Sequence, residues 1–497
     1  VQCQGGKKHA PVHKPQWLRW AVAHSSTLDW VHCNDNTCFQ HASLVAEGLV
    51  RFDPSNPLKV LPSLAEQWEN PSPTQWVFKL KPNVKWSDGH PLTARHFIET
   101  WEKSLRNFKH CPNSSILFSI VNARAFAEGK VPFHAVGLSA PNPNILIIRL
   151  HTPKPNFLLT LCHPATWPSR SEKNAFVTLG PFMLEKSTDN STRYVRNPLY
   201  HGPSAALAGI EIKVVPSENS RLELFFNKEI DLADVTGENL PSLVEGQPGK
   251  KTFPTSRLVA LVVNTSKKPF QSAKSRLALQ KAINREEMIA LLKWNYLPAY
   301  RVFAYYASSP PSWSVKYSQP SARELFAAVH IDPLGLRLIE PIPILFARPV
   351  LQFTHFREAQ DTADNIRAQW IKNLDLRVEL TSAEHLNTPT PASLGLIELF
   401  IDPIDPLSTL ETFSSTGLTN PYHWKNRTFD LQLHQALAER TMEGMMEQLE
   451  LAEKILIAQE SAFIPLYLKT KTVMVAEHVK GLRQNPIEIW DFRDTSI

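Results

Sequence analysis

Two groups of side chains in this 497-residue chain have the types and spacing for chemistry. His32, Cys33, Cys38 and His41 offer two thiolates and two imidazoles within one short stretch, the donor set of a tetrahedral zinc site. Their spacing departs from that of zinc fingers, and a zinc hydrolase would also need an open coordination position and an aligned base. Cys33 and Cys38 equally suit a local disulfide in an oxidising compartment, or two free thiols. The second group is Asp402 and Asp405, in the stretch Phe400-Ile401-Asp402-Pro403-Ile404-Asp405-Pro406 after an apolar run from Leu394 to Ile401. An aspartate ending a buried strand can sit at a cleft, where its charge needs a partner such as a ligand ammonium. Asp-Pro pairs also start turns and leave the charge in water.

Other chemistry is absent from the pattern. The chain has no dinucleotide glycine fingerprint, Walker loop, His-Glu-x-x-His, EF-hand loop or nucleophile elbow. It has 17 glycines against 40 prolines, a poor composition for glycine-cradled phosphates, and no cofactor is implied. The net charge of +6 comes from scattered residues, which argues against nucleic acid as partner. Apolar residues at 43% and charged residues at 20% are those of a globular protein. The length predicts two or three domains, and no apolar run is long enough to cross a bilayer.

The elements that must position these residues alternate between strand and helix. Leu18, Trp20 and Val22 alternate as in a strand, and a helix is expected from about Cys38 to Leu49. Trp76, Phe78 and Leu80 share one strand face ahead of a Ser87-Asp88-Gly89 turn. Thr93 can cap a helix whose Phe97, Trp101 and Leu105 form a buried stripe. Strands are expected over Asn144 to Leu150, Ile210 to Val214 and Phe463 to Val475, and Leu258 to Val263 suits a strand buried on both faces. Ser275 to Leu292 predicts a helix interrupted at Asn284, and Phe429 to Gln459 a long helical region. Together these predict mixed α/β layers.

Gln2 to Gln16 lacks an apolar period and reads as a tether. The numbering opens at Val1 rather than methionine, so a removed N-terminal segment is expected, with export as one explanation. Cys3 ahead of a polar spacer is the pattern of a lipid-anchored envelope protein, although Gln2 stands where a small residue is usual. Cys33, Cys38, Cys111 and Cys162 allow two disulfides by count.

One family accounts for these features. Trp76-Val77-Phe78-Lys79-Leu80 followed by Val84-Lys85-Trp86-Ser87-Asp88-Gly89-His90-Pro91-Leu92-Thr93-Ala94 resembles the signature of the family 5 extracellular solute-binding proteins, the peptide receptors of bacterial ABC importers. The resemblance continues through Gly180-Pro181-Phe182, Arg196-Asn197-Pro198, Val263-Asn264, Pro269-Phe270, Ala282-Ile283-Asn284-Arg285 and Ile464-Pro465-Leu466-Tyr467. It implies a type II periplasmic-binding-protein fold of class α/β, with two lobes, an inserted domain and a hinge. Mapped onto this chain, residues 1–16 form the tether, 17–46, 167–256 and 482–497 the first lobe, 47–166 the inserted domain, and 257–481 the second lobe. Hinge connections are expected near Arg257 and near Val479 to Leu482.

The resemblance also implies a site. In oligopeptide receptors of the family the ligand lies as an extra strand between the lobes, its ammonium on an aspartate, and Asp402 occupies that register. Leu399, Phe400 and Ile401 replace the family's Trp-Cys-Ala, so the stacking tryptophan is missing, and Arg257 stands near the position that would partner the missing cysteine. Phe400 and Ile401 are expected beside the ligand, Asn36 and Thr37 in the loop from Asn34 contact its backbone, and Trp490 lines the cleft. The implied function is a monomeric extracytoplasmic receptor, not an enzyme, in the periplasm or cell envelope. It would capture peptides and deliver them to an inner-membrane ABC permease. The alternative is another solute of the same fold family, such as a dipeptide, glutathione or a nickel complex.

Overall fold

The computed structural model of the chain describes residues 16–33, 35–172, 175–235, 244–292, 295–306, 309–329, 349–356, 358–384, 392–417 and 419–497. Cys3 and Asn34 lie outside them. Among the described residues an 11-stranded sheet has the order Phe182–Ser187, Ser191–Arg196, Gly209–Val214, Trp17–Val22, Leu232–Val235, Phe463–Val475, Lys250–Val263, Leu394–Phe400, Val350–Thr354 and Glu379–Ala383, with Leu297–Pro298 beside Phe463–Val475. Helices are interspersed with these strands along the chain. The fold is thus the α/β arrangement expected from the alternation of periods.

The sheet carries two separate sets of cores. Near one end Leu18, Trp20, Tyr194, Ile210, Leu232 and Val473 pack together. Towards the other, Leu258, Ala260 and Val262 face a core with Phe303 and Phe429, while Val259, Leu261 and Val263 face one with Ile283 and Trp370. Successive side chains point to opposite faces of a strand, so an apolar run without alternation is what a doubly covered strand requires. These six residues are at most 2% exposed.

Two long strands, Lys250–Val263 and Phe463–Val475, run antiparallel through both sets of cores. Their pairing breaks between Pro254, opposite Thr470, and Leu258, opposite Leu468. The bulged residues find partners off the ladder. Thr255 Oγ1 donates to the Lys469 carbonyl at 2.9 Å, the Ser256 N–H to Glu488 Oε1 at 2.9 Å, and the Ile401 N–H to the Ser256 carbonyl at 2.7 Å. The first crossing thus lies beside Arg257. The second lies at Leu468 to Thr470, ahead of the expected Val479 to Leu482, because Val473 and Val479 already pack in the core of Leu18 and Trp20. Each strand serves two cores, and in Phe463–Val475 the buried run Phe463 to Leu468 gives way at the crossing to half-buried Lys469, Thr470 and Lys471.

A third core belongs to a four-stranded antiparallel sheet, Ala65–Ser72, Gln75–Leu80, Ile145–Arg149 and Leu138–Asn142. The helix Ala94–Arg106 lays Phe97, Trp101 and Leu105 into it, each 0% exposed. The Thr93 N–H donates to His96 Nδ1 at 3.0 Å, closing the first turn. In the signature block Trp86 is fully buried, Gly89 turns at φ +88°, and Asp88 pairs with Arg170 at 2.8 Å. These residues hold a turn.

Several elements differ from expectation. The first helix is Asn36–Val45 and stops short of Leu49, because Leu49 and Val50 are buried in the third core. The long helical region is two helices, Arg427–Ala438 and Met442–Lys454, followed by a wider turn, Ile455–Gln459. Cys33 and Cys38 are disulfide-bonded, whereas Cys111 and Cys162 are free and buried in different cores. The zinc constellation does not form. Its thiols are in the disulfide, His32 Nδ1 lies 2.9 Å from Asp29 Oδ2, and His41 Nδ1 lies 2.5 Å from the Tyr194 hydroxyl. No group of three or more His, Cys, Asp or Glu among the described residues could hold a metal ion.

Candidate functional site

A cleft of about 490 Å³ opens where the first helix, the inserted domain and the loop after Leu394–Phe400 face one another. Asp402, Phe400 and Asn36 all border it, so the structure brings Asn36 to the distant pair Phe400 and Asp402. Ser256 from the hinge bulge and Glu488 from the C-terminal segment border it too.

Asp402 stands just past the end of Leu394–Phe400 and ahead of the short helix Pro406–Glu411. Its Oδ1 accepts from the N–H groups of Ile404 at 2.9 Å and Asp405 at 3.1 Å, an Asx turn of the kind the Asp-Pro sequence predicts. Its own N–H donates to Thr409 Oγ1 at 3.0 Å. Oδ2 has no hydrogen bond among the described residues. Burial holds the carboxyl above its usual range against the turn's N–H groups, and the charge of Asp405 pushes it the same way. Burial and the charge of Asp405 work against the ionised form, and the charge of Lys154 works for it. Lys154 Nζ lies 3.7 Å from Asp405 Oδ2, so the nearby cation is directed to the other aspartate.

The lining is acidic. Asp402, Asp405 and Glu488 face Lys154, while His163 is held neutral near physiological pH, burial lowering it to about 4. His163 also takes its local N–H bond from Ala165 and packs edge-on against Phe39 at 4.9 Å. Phe400 presents an aromatic ring that is 61% exposed at the border of the cleft.

The remaining sequence candidates take other places. Ile401 is 1% exposed and belongs to the core of Leu258 and Phe429, since the residue between Phe400 and Asp402 points to the opposite face. Trp490 is 1% exposed, packs edge-on against Phe253 at 4.9 Å and donates its backbone N–H to Gln40 Oε1, so it supports the first lobe and does not line the cleft. Asn36 and Thr37 open a helix capped by Asp35, whose Oδ1 accepts the Cys38 N–H at 2.9 Å, and do not form an edge strand. Thr37 Oγ1 is 3.1 Å from His24 Nε2. The register sets Arg257 opposite Phe400, with Arg257 paired to Glu398 at 2.8 Å. Lys154, His163, Ser256 and Glu488 carried no motif in the sequence, because only the tertiary approach of four segments makes them neighbours.

The chain has relatives in sequence and fold. The dipeptide-binding protein DppE of Bacillus subtilis (strain 168) is 23% identical over 487 residues, covering 92% of this chain and 88% of DppE. The probable deoxycholate-binding periplasmic protein YgiS of Escherichia coli (strain K12) is 25% identical over 487 residues, with the same 92% and 88% coverage. The unliganded open form of the periplasmic murein tripeptide-binding protein MppA superposes with a TM-score of 0.86 at 23% identity, covering 97% of this chain and 98% of that one. Residues 59–420 match the family described as bacterial extracellular solute-binding proteins, family 5 Middle, and the chain belongs to that family.

Proposed function

We propose that the chain is a peptide receptor that takes the free amino end of an extended ligand onto Asp402 and hands the ligand to a membrane-embedded ABC importer outside the cytoplasm. The observation that carries this is the acidic end of the cleft, where one carboxylate oxygen of Asp402 has no hydrogen bond among the described residues and Asp405 and Glu488 add negative charge against Lys154. A ligand ammonium relieves that excess, and a charge-assisted hydrogen bond there is stronger than in water because the carboxylate is partly desolvated. The exposed ring of Phe400 offers an apolar platform to a neighbouring ligand side chain. Relatives named for dipeptides and for a murein tripeptide support the same class of ligand.

A receptor of this kind needs tight enclosure and no bond-making step, so the two lobes are proposed to close about the bulge at Thr255 to Arg257 and Lys469. The relative named for deoxycholate raises a second reading, a small acidic solute. The carboxylates of the lining disfavour an anion in this cleft. Native mass spectrometry of the protein as purified tests the choice. A ragged series of peptide masses is expected, and a single sharp non-peptide mass would replace the reading.

A further inference from the structure

The cleft of Asp402 has a second charged end, at Ser256. The Ser256 N–H donates to Glu488 Oε1 at 2.9 Å, and the Ser256 carbonyl accepts the Ile401 N–H at 2.7 Å. One residue therefore holds the Glu488 carboxylate on one side and the segment carrying Phe400 on the other. The ladder agrees, since Phe400 stands opposite Arg257, the next residue. Ser256, Glu488 and Phe400 all border the cleft. A tight turn places Glu488. Asn485 Oδ1 accepts the N–H groups of Ile487 at 3.1 Å and Ile489 at 2.9 Å, and Glu488 takes φ +63°, a conformation that few residues other than glycine adopt.

The carboxylate so placed has no cation of its own. Glu488 Oε2 has neither a hydrogen bond nor an ion pair among the described residues. Arg257 lies within electrostatic reach, but its Nη1 is bound to Glu398 at 2.8 Å. Lys469 Nζ is shared between Glu398 at 2.6 Å and Glu358 at 2.8 Å. These two cations already serve two carboxylates, and Glu488 is left over. At the other end Lys154 is directed to Asp405, which leaves Asp402. A ligand ammonium on Asp402 answers one of the two uncompensated charges, so the cleft calls for a second cation. The 61% exposed ring of Phe400 indicates its form, because an aromatic face attracts a cation and also packs the methylene groups of a long basic side chain.

We propose that the Ser256 end of the cleft is a subsite for a basic side chain of the ligand, its charged head on Glu488 and its methylene stem on the Phe400 ring. The subsite rests on the peptide reading and adds to it a preference for peptides that carry lysine or arginine. Glu488 sets that preference, and Asp402 keeps the amino end.

Trialanine in which each residue in turn is replaced by lysine or by norleucine provides matched probes, one stem with and without the charge. Both peptides of a pair keep the free amino end, so the contribution of Asp402 cancels in the ratio of their affinities. Calorimetric titration of the full chain should show lysine bound about tenfold or more tightly than norleucine at one register at least. Glu488→Gln keeps the oxygen that holds Ser256 and removes the charge, and it should bring that ratio close to one. A ratio below about tenfold at every register, or a preference that survives Glu488→Gln, overturns the subsite while leaving the peptide reading intact. Peptides that do not bind at all would overturn the peptide reading, and the subsite with it. If Glu488→Gln fails to fold, the native chain decides the matter alone, since its ratio should also shrink as sodium chloride is raised to about 1 M, and a ratio unmoved by salt overturns the subsite.

Discussion

Asp402 divides its carboxylate between structure and cleft. Oδ1 anchors the turn through Ile404 and Asp405, while Oδ2 is left without a hydrogen bond among the described residues. An asparagine keeps the oxygen that holds the turn and removes the charge, so Asp402→Asn separates the two roles. Under the peptide reading the variant should bind peptides with free amino ends about a hundredfold or more weaker, since breaking a desolvated charge pair costs about 3 to 5 kcal/mol. N-acetylated peptides should be nearly unaffected. In the native chain, affinity for free-amine peptides should also fall on acidification through the raised range of this carboxyl, as protonation removes the negative partner. Calorimetric titration of matched peptides checks both statements, and equal affinities in all combinations would leave Asp402 a turn residue.

At the scale of elements, the end of the helix Asn36–Val45 shows how a buried charge ties segments together. The chain turns extended at Ala46, and the next residue, Glu47, meets Ser63, Tyr200, His201 and Arg493. Burial alone would raise this carboxyl, but the bonds from His201 and Tyr200 and the charge of Arg493 outweigh it and hold it at about 2. A folded value below the ordinary 4.5 means that the contribution to stability is fully present above pH 4.5 and is lost as the pH falls towards 2. A shift of that size corresponds to about 3 kcal/mol. Glu47→Gln should therefore lower the unfolding free energy by about 3 kcal/mol at neutral pH. Its acid denaturation should also be shallower between these limits. Urea titrations at a series of pH values measure this, and parallel pH profiles for the two proteins would refute the assignment.

For the whole molecule, two strands carry the connection between the lobes, and both are irregular at the same level. A β-bulge whose N–H and C=O groups bond outside the ladder can change its twist without breaking ladder bonds, so closure there costs little. Other contacts across the bodies include Asn156 Nδ2 to the Ile404 carbonyl at 2.7 Å, the Tyr305 hydroxyl to the Asn485 carbonyl at 3.3 Å, and the packing of Ile404 and Met442 on the core of the four-stranded sheet. Small-angle scattering should accordingly show a smaller radius of gyration when the protein is saturated with a peptide pool. A scattering curve unchanged across the titration would show that binding proceeds without closure.

Much of this was legible in the residues themselves. The alternation of Leu18, Trp20 and Val22, the stripe of Phe97, Trp101 and Leu105, and the unbroken run Leu258 to Val263 each reappear as the expected element, because side-chain periodicity is a local consequence of backbone geometry. The turn at Asp402 was legible for a similar reason, since a strand end followed by Asp-Pro is a local pattern, whereas its binding role was implied by the resemblance alone and stands as a proposal. The break at Val45 was not, because Ala46, Leu49 and Val50 are as buried after the helix as before it, and burial alone does not reveal backbone direction. Nor was the side of the chain on which Ile401 and Trp490 lie, which depends on what packs against them. The acidic cleft belongs to the tertiary structure alone. Asp402, Lys154 and Glu488 come from three distant segments, and their shared electrostatics exists only once the strands, the inserted domain and the C-terminal segment have been folded into one frame.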